Sequence, residues 1–142
     1  MKVSENAKCA GCELDAYLAG FFDGEGCVQV YQRKKNSKYI QVIASAYQTL
    51  EKPLLLFKRR YGGKVRPNKK RSNRKQSWTW YAYGKDAFFA LSRMLPWLIV
   101  KKKKAKLALL VLKYQPLKGE KYSETQRAQL QHIIRRHYSD KG

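Results

Sequence analysis

Apolar and polar residues alternate with two periods along the chain, and each period indicates one type of element. Cys27 to Arg33 and Tyr39 to Tyr47 alternate at every second residue on either side of K-K-N-S-K, which predicts a β-hairpin. Leu50 to Tyr61 has apolar residues at helical spacing and is followed by the helix-ending pair Gly62-Gly63. We expect an earlier helix, at about residues 13–25, to lead into the hairpin.

The remainder of the chain repeats this order. Lys64 to Lys70 and Lys75 to Tyr83 predict a second hairpin with R-S-N-R at its tip. Three further helices are expected: Lys85 to Leu95, ended by Pro96; Lys101 to Tyr114, ended before Pro116; and Ser123 to Tyr138, with Ser123 as N-cap. No linker or repeat interrupts the order. It predicts a single α+β domain over residues 1–142, with a C-terminal helical extension at about residues 120–140.

Each predicted strand has one apolar face and one polar face. The apolar faces of the first hairpin contain Val28, Val30, Ile40, Val42, Ala44 and Ala46. The opposite faces contain Gln29, Tyr31, Arg33 and Lys35 in one strand and Tyr39, Gln41, Ile43 and Ser45 in the other. In the second hairpin Lys64, Arg66, Asn68 and Lys70 occupy alternate positions. Trp78 and Trp80 share a face, which for two tryptophans is more often core than surface.

The charge of the chain changes how the polar faces are interpreted. The net charge is +21, and residues 26–119 contain 24 Lys or Arg but only two acids, Glu51 and Asp86. A folded core with so much charge of one sign needs a polyanion, and nucleic acid is the leading partner. Gln reads adenine and Arg or Lys reads guanine in the major groove, so the polar faces suit double-stranded DNA. The alternatives are a solvated basic face and an anionic membrane surface, although no lipid anchor is apparent.

The cysteines and the N-terminus bear on where the protein works. No stretch is long and apolar enough for a membrane span, and M-K-V-S-E-N-A-K lacks the apolar core of a signal peptide, so we expect an intracellular protein. Cys9 and Cys12 form half of a zinc-binding pattern, which His132 and His137 would have to complete from the far end of the chain. A reduced, incidental cysteine pair is the simpler expectation.

Residues 18–26 read L-A-G-F-F-D-G-E-G and combine a packing surface with a carboxylate. Ala16, Gly20 and Gly24 recur every four residues and form a line without bulk, along which a second helix can approach closely. Glu25 stands at the tip, where glycines permit a sharp turn. Two such helices side by side would bring two Glu25 carboxylates together, as hard divalent cations require. The alternative is an ordinary amphipathic helix with a glycine C-cap.

This segment closely resembles the motif of the LAGLIDADG homing endonucleases. The resemblance covers roughly residues 13–115 and includes L-P-W-L-I-V-K-K-K-K-A-K-L-A-L after the second hairpin. It implies an αββαββα fold, with a four-stranded antiparallel sheet that forms a saddle over DNA and extra C-terminal helices. A single motif implies a homodimer with Ala16, Gly20 and Gly24 at its two-fold interface. Such a dimer should recognise a long pseudo-palindromic site.

The resemblance also implies roles for individual residues. Glu25 matches the motif's metal ligand, which the backbone carbonyl of Gly24 would assist. Gln48 resembles the residue that orders the attacking water, Lys52 resembles a basic residue of the same pocket, and Lys101 resembles the lysine near the scissile phosphate. Asp23 matches the motif's first acid, for which we expect a local hydrogen-bonding role at the helix end.

The chemistry implied is metal-dependent hydrolysis of DNA. Mg²⁺ held by carboxylates of both subunits would activate water, Mn²⁺ would substitute, and Ca²⁺ would support binding without cleavage. Double-strand breaks with short 3′ extensions are the expected products. In the last predicted helix, Arg135 and Arg136 are expected to clamp the DNA backbone. The rival functions are an RNA-binding intron maturase, a non-catalytic DNA-binding regulator and a basic ribosomal or RNA-packaging protein.

Overall fold

A computed structural model describes residues 11–32, 40–114 and 124–139. The elements, in chain order, are α1 (Cys12–Glu25), β1 (Gly26–Gln32), β2 (Ile40–Gln48), α2 (Glu51–Tyr61), β3 (Lys64–Pro67), β4 (Trp78–Tyr83), α3 (Gly84–Met94), a 3₁₀ turn (Leu95–Trp97), α4 (Lys102–Tyr114) and α5 (Glu124–Ser139). This order confirms the predicted α+β class and the αββαββα arrangement with helices added after it.

The four strands form one antiparallel sheet in the order β1-β2-β4-β3. Its register pairs Val28 with Ala44 and Ala44 with Ala82, so the apolar residues predicted for one face lie in a row across the sheet. The two hairpins are therefore joined through their inner strands, β2 and β4. Helices cover the apolar face, whose side chains are mostly buried, and within the described residues the side chains of the opposite face are partly or fully exposed.

The core lies between the sheet and the helices. Phe22 of α1, Phe57 of α2 and Trp80 of β4 are fully buried, and the rings of Phe57 and Trp80 lie 4.7 Å apart between centroids. Trp78 packs partly buried against the same core, which confirms that the two tryptophans share the core face. Leu130 of α5 is also buried here, so the last helix packs on the body of the fold.

The second hairpin is shorter than predicted. β3 ends at Pro67, not Lys70, and β4 begins at Trp78, not Lys75. Pro67 has no N–H to donate to the ladder, and beyond it the two segments are joined by a backbone hydrogen bond and by side-chain hydrogen bonds. The side-chain amide of Gln76 donates to the carbonyl of Asn68 at 2.7 Å, and the N–H of Asn68 donates to the carbonyl of Ser77 at 2.8 Å.

A buried ion pair joins α1 to α2. Both side-chain oxygens of Asp15 accept hydrogen bonds from the Arg60 guanidinium, each at 3.0 Å, and the Tyr61 hydroxyl donates to the same carboxylate at 2.7 Å. Burial disfavours the charged form, but these bonds and the charge of Arg60 outweigh it and lower the pKa of Asp15. Nothing in the local sequence pattern signals this pairing across 45 residues.

Replacing Asp15 with Asn should reduce the free energy of unfolding by about 2–3 kcal/mol, because it leaves Arg60 without its carboxylate. The lowered pKa makes the stabilisation by Asp15 fully present above the unfolded value of about 3.9 and lost as pH falls through the folded pKa. Urea denaturation at pH 7 and at pH 3 should therefore show a smaller difference between variant and wild type at the lower pH. Asp86→Asn, which alters an exposed acid, is the control; equal losses in the two variants would contradict the prediction.

No helix within residues 11–32, 40–114 and 124–139 is long and apolar enough to cross a membrane.

Candidate functional site

The tip of α1 presents an exposed carboxylate. Glu25 is the last residue of the helix, and the N–H of Gly26 closes the helix by donating to the carbonyl of Phe22. A Cβ on Gly26 would lie 2.5 Å from that carbonyl oxygen, so only glycine fits. The backbone of Gly26 is extended, with φ −93°, so this glycine is required for space and not, as predicted, for a sharp turn.

Asp23 attaches this tip to the segment before α4. Its carboxylate accepts the backbone N–H of Ile99 at 2.8 Å and that of Lys101 at 3.0 Å. Burial opposes ionisation, but these hydrogen bonds prevail and lower the pKa of Asp23. The predicted hydrogen-bonding role is thus present, although the partners lie 76 and 78 residues away and are not local.

Lys101 reaches the same helix end with its side chain. Its ammonium group donates to the backbone carbonyl of Asp23 at 2.8 Å, two positions before Glu25. Lys101 and Glu25, which the sequence assigned to one site, are therefore brought to one end of α1.

Gln48 is the last residue of β2, and Lys52 lies four residues later, at the start of α2. The register pairs Gly26 with Ala46, so β2 continues past the tip of α1 and ends at Gln48. The Gln48 side-chain oxygen accepts hydrogen bonds from the N–H and the hydroxyl of Thr49, at 2.8 and 3.1 Å. Lys52 is exposed in the first turn of α2. Both lie at the sheet end that carries Glu25, and their roles stay predictions.

The oxygen donors at the tip of α1 fit a hard divalent cation. A carboxylate from Glu25 and a backbone carbonyl from Gly24 are ligands that Mg²⁺ prefers. Asp23 is already bound to backbone N–H groups. Within the described parts of the chain, no three His, Cys, Asp or Glu side chains are grouped closely enough to hold a metal.

The zinc alternative receives no support. Cys12 is disulfide-bonded, which removes the thiolate that zinc needs and overturns the expectation of a reduced pair. Cys9 and the side chain of His137 lie outside the described residues, and His132 is exposed on α5.

At Gly20 and Gly24, one face of α1 lacks side-chain bulk and is not covered by the described residues. Gly20 and Gly24 are exposed, and a Cβ built on either would meet no other described part of the chain within 4 Å. Beside the same helix end, Ile99 and Val100 are 85% and 73% exposed. Ala16, the third residue of the predicted line, is half-buried.

The open face of the sheet carries polar and aromatic side chains in rows. The strand register gives the rows Cys27–Ser45–Tyr81–Lys64, Gln29–Ile43–Tyr83, Tyr31–Gln41 and Tyr47–Thr79–Arg66. Six of these residues were predicted for a DNA-binding face: Gln29, Tyr31, Gln41, Ser45, Lys64 and Arg66. The Tyr31 hydroxyl donates to the Gln41 side-chain oxygen at 2.8 Å, and the Arg66 guanidinium lies 5.7 Å from the centre of the Tyr81 ring.

Sequence reasoning missed the residues that β4 and the end of β2 add to this face, namely Tyr47, Thr79, Tyr81 and Tyr83. The run W-T-W-Y-A-Y has aromatic residues on both faces, so alternation alone does not separate core from surface. The available signal was Ala82, because a small residue two positions after Trp80 continues the core face. That assignment leaves Thr79, Tyr81 and Tyr83 opposite.

The other predicted DNA-binding residues fall into three groups. Arg33, Lys35 and Tyr39 lie outside the described residues. Asn68 lies just beyond β3 and uses its side chain within the hairpin, donating to the Ser77 hydroxyl at 3.1 Å and accepting from Thr79 at 3.0 Å. Lys70, Arg135 and Arg136 are exposed, the first in the hairpin connection and the other two on α5.

The sheet face carries polar and aromatic side chains together with Lys64 and Arg66, and the Glu25 carboxylate lies at its edge, an arrangement that fits a DNA-binding nuclease. The chain belongs to the LAGLIDADG homing endonuclease family, because residues 13–107 match the LAGLIDADG-like domain.

Solved structures of this family share the fold. The homing endonuclease I-CvuI, in complex with its target in 2 mM Ca, is 24% identical over 87% of this chain and 96% of that chain, with a TM-score of 0.62. I-CvuI with the I-CreI target in 2 mM Mg, where the DNA is not cleaved, is 26% identical over the same shares, with a TM-score of 0.59. The homing endonuclease I-TnaI is 19% identical over 84% of each chain, with a TM-score of 0.58. No curated protein sequence matches the chain.

Proposed function

We propose that this protein is a site-specific homing endonuclease that acts as a homodimer on a long pseudo-palindromic DNA site. One observation carries the proposal: Glu25 is exposed at the end of an uncovered, smooth helix face, and Lys101 is hydrogen-bonded to the same helix end. A carboxylate, an ammonium group and a nearby open sheet are the parts that hydrolysis of a bound DNA strand needs.

The homodimer is supported by what α1 leaves uncovered. The smooth face through Ala16, Gly20 and Gly24 allows a second α1 to approach at backbone distance. Ile99 and Val100 beside it are large apolar side chains exposed to water, which association would bury. Two copies related by a two-fold axis would place two Glu25 side chains together and supply the carboxylate that one chain lacks.

The mechanism uses few side chains. Glu25 and the carbonyl of Gly24 would hold the cation, which we take to be Mg²⁺, with Mn²⁺ as a substitute and Ca²⁺ supporting binding only. When bound, the cation lowers the pKa of water and neutralises charge on the phosphate. Gln48 would orient the attacking water, Lys101 would stabilise charge on the phosphate, and Lys52 would add positive potential to the pocket.

The open sheet would read the major groove of double-stranded DNA. Gln29, Gln41 and Arg66 offer the donors and acceptors for base edges, and Tyr31, Tyr81 and Tyr83 provide flat surfaces beside them. Arg135 and Arg136 on α5 would contact the backbone. Since Leu130 of α5 is part of the common core, we treat the chain as one DNA-binding domain.

Arg66→Ala should weaken DNA binding and lower the salt dependence, with the slope of log K against log salt falling by about one unit if a phosphate contact is lost. If Arg66 instead reads a base, affinity falls by about 1–3 kcal/mol at one position of the site. Fluorescence anisotropy at several salt concentrations measures both. Arg59→Ala is the matched control, because Arg59 is exposed on α2, on the other side of the sheet. Equal effects of the two substitutions on DNA binding would contradict the proposal that the open face of the sheet contacts DNA.

Selection from a randomised double-stranded DNA library tests the proposal. The protein is incubated with the library separately in Mg²⁺, in Mn²⁺ and in Ca²⁺, and both the cut fragments and the bound fragments are sequenced. Enrichment of one long, near-palindromic site that is cut in Mg²⁺ and only bound in Ca²⁺ is the expected result. Binding without cutting in Mg²⁺ and Mn²⁺ would refute the nuclease and favour a maturase or a regulator.

A further inference from the structure

The segment that leads into α4 and the first turn of that helix contain lysines and no acidic residue. Lys101 precedes the helix, its carbonyl accepts the N–H of Ala105 at 2.9 Å, and the first turn contains lysines and no acid. Lysine is a poor N-cap because it offers no acceptor, and positive charge at a helix start opposes the helix dipole. The conformation of this segment therefore depends on groups outside α4.

Asp23 supplies those groups from another helix. Each of its carboxylate oxygens accepts one backbone N–H, from Ile99 at 2.8 Å and from Lys101 at 3.0 Å. Both N–H groups precede the first helical residue, Lys102, so Asp23 does not cap α4 but holds the segment that leads into it. Asp23 thus fixes the backbone of Lys101 against the tip of α1.

The Lys101 side chain is attached to the same residue. Its ammonium group donates to the backbone carbonyl of Asp23 at 2.8 Å. The backbone N–H and the side chain of Lys101 are therefore both hydrogen-bonded to Asp23, which lies two positions before Glu25 in the same helix. Rotation or sliding of the segment would move the ammonium group away from Glu25.

We propose that Asp23 is the positioning residue for Lys101. It holds the segment before α4 so that the Lys101 ammonium group stays at the end of α1 that carries Glu25, where the scissile phosphate is proposed to bind. This inference rests on the proposed nuclease function. It assigns Asp23 a role that acts through Lys101, and no direct contact with metal or DNA.

A double-mutant cycle tests the inference with full-length protein. Asp23→Asn replaces one acceptor oxygen by an amide that cannot accept, and should slow single-turnover cleavage of the selected site about 10- to 100-fold with the DNA dissociation constant in Ca²⁺ unchanged. Lys101→Met should slow cleavage at least as much. The double variant should cut no more slowly than Lys101→Met, since Asp23 acts through Lys101. Multiplicative losses, or wild-type rates in Asp23→Asn, would overturn the proposal.

A second measurement separates positioning from loss of fold and from failure of the nuclease. Hydrogen exchange at the amides of Ile99 and Lys101 should be slow in the wild type and fast in Asp23→Asn, while amides in β2 stay protected. Asp86→Asn is the matched control, since Asp86 also accepts a backbone N–H, from Gly63 at 3.2 Å, and its loss adds the same charge. It should leave cleavage and the amides of Ile99 and Lys101 unaffected. If the wild type cuts no DNA, the nuclease proposal fails, and unchanged exchange in Asp23→Asn would independently refute the positioning role.

Discussion

Glu25→Gln should abolish cleavage, lowering the single-turnover rate by about 10³-fold or more, while leaving DNA binding in Ca²⁺ intact. The amide keeps the size of the side chain but removes the negative charge that a divalent cation requires. Binding should persist because the open sheet face, and not the tip of α1, supplies the contacts to base edges. The measurement is the cleavage rate of the selected site in Mg²⁺, paired with a binding titration in Ca²⁺.

Glu13→Gln is the matched control for this substitution. Glu13 is exposed at the other end of α1, so the same chemical change is made in the same helix, about 18 Å from the tip by the helical rise. It should cut at nearly the wild-type rate. A Glu25→Gln protein that cuts as fast as this control would exclude Glu25 from the metal site and require a different source of chemistry.

Gly20→Leu should separate the dimer, weakening self-association by about 10²-fold or more, because a bulky side chain would hold the two α1 helices apart. The single chain has room for it, since a Cβ at Gly20 meets no described part of the chain outside its own helix within 4 Å. The variant should therefore still fold, but as a monomer. Sedimentation equilibrium of variant and wild type gives the association constants directly.

Thr125→Leu, which adds a leucine at an exposed position of α5, controls for a general effect of surface leucine. It should sediment as the wild type does. Double-strand cleavage by Gly20→Leu should fall with its loss of association, because each monomer brings only one Glu25. If Gly20→Leu sediments as a dimer, or if the wild type is a monomer on DNA, the smooth face of α1 is not the interface.

The parts of the fold that follow from short-range pattern could be predicted from the sequence. Val28, Val30, Ile40 and Val42 alternate with polar residues and occupy the core face as expected, because a period of two leaves only two choices of face. The motif helix could be placed equally well, since its small residues Ala16, Gly20 and Gly24 recur at helical spacing and the acid Glu25 follows the last of them. These features depend on neighbours within a few residues.

The features that sequence reasoning missed depend on distant partners. Nothing in the sequence around Asp15 distinguishes it from other acidic helix residues. Its ion pair with Arg60 is formed only when α2 packs on α1. The hydrogen bonds of Asp23 were expected within its own helix end, but the donors come from the segment before α4. The sequence did not decide which face of β4 points into the core, because both of its faces carry aromatic residues. In each case the deciding contact is set by tertiary packing, which no local period encodes.

Cleavage by mixed dimers tests the central claim most directly, because it depends on both the dimer and Glu25. Wild-type chains and Glu25→Gln chains carrying two different affinity tags are produced together, and the mixed dimer is purified through both tags. Because the cation is proposed to take a carboxylate from each subunit, the account predicts that the mixed dimer cuts both strands of the selected DNA site far more slowly than the wild-type dimer does. Double-strand breaks by the mixed dimer at the wild-type rate would contradict the account, since one Glu25 would then suffice for both strands.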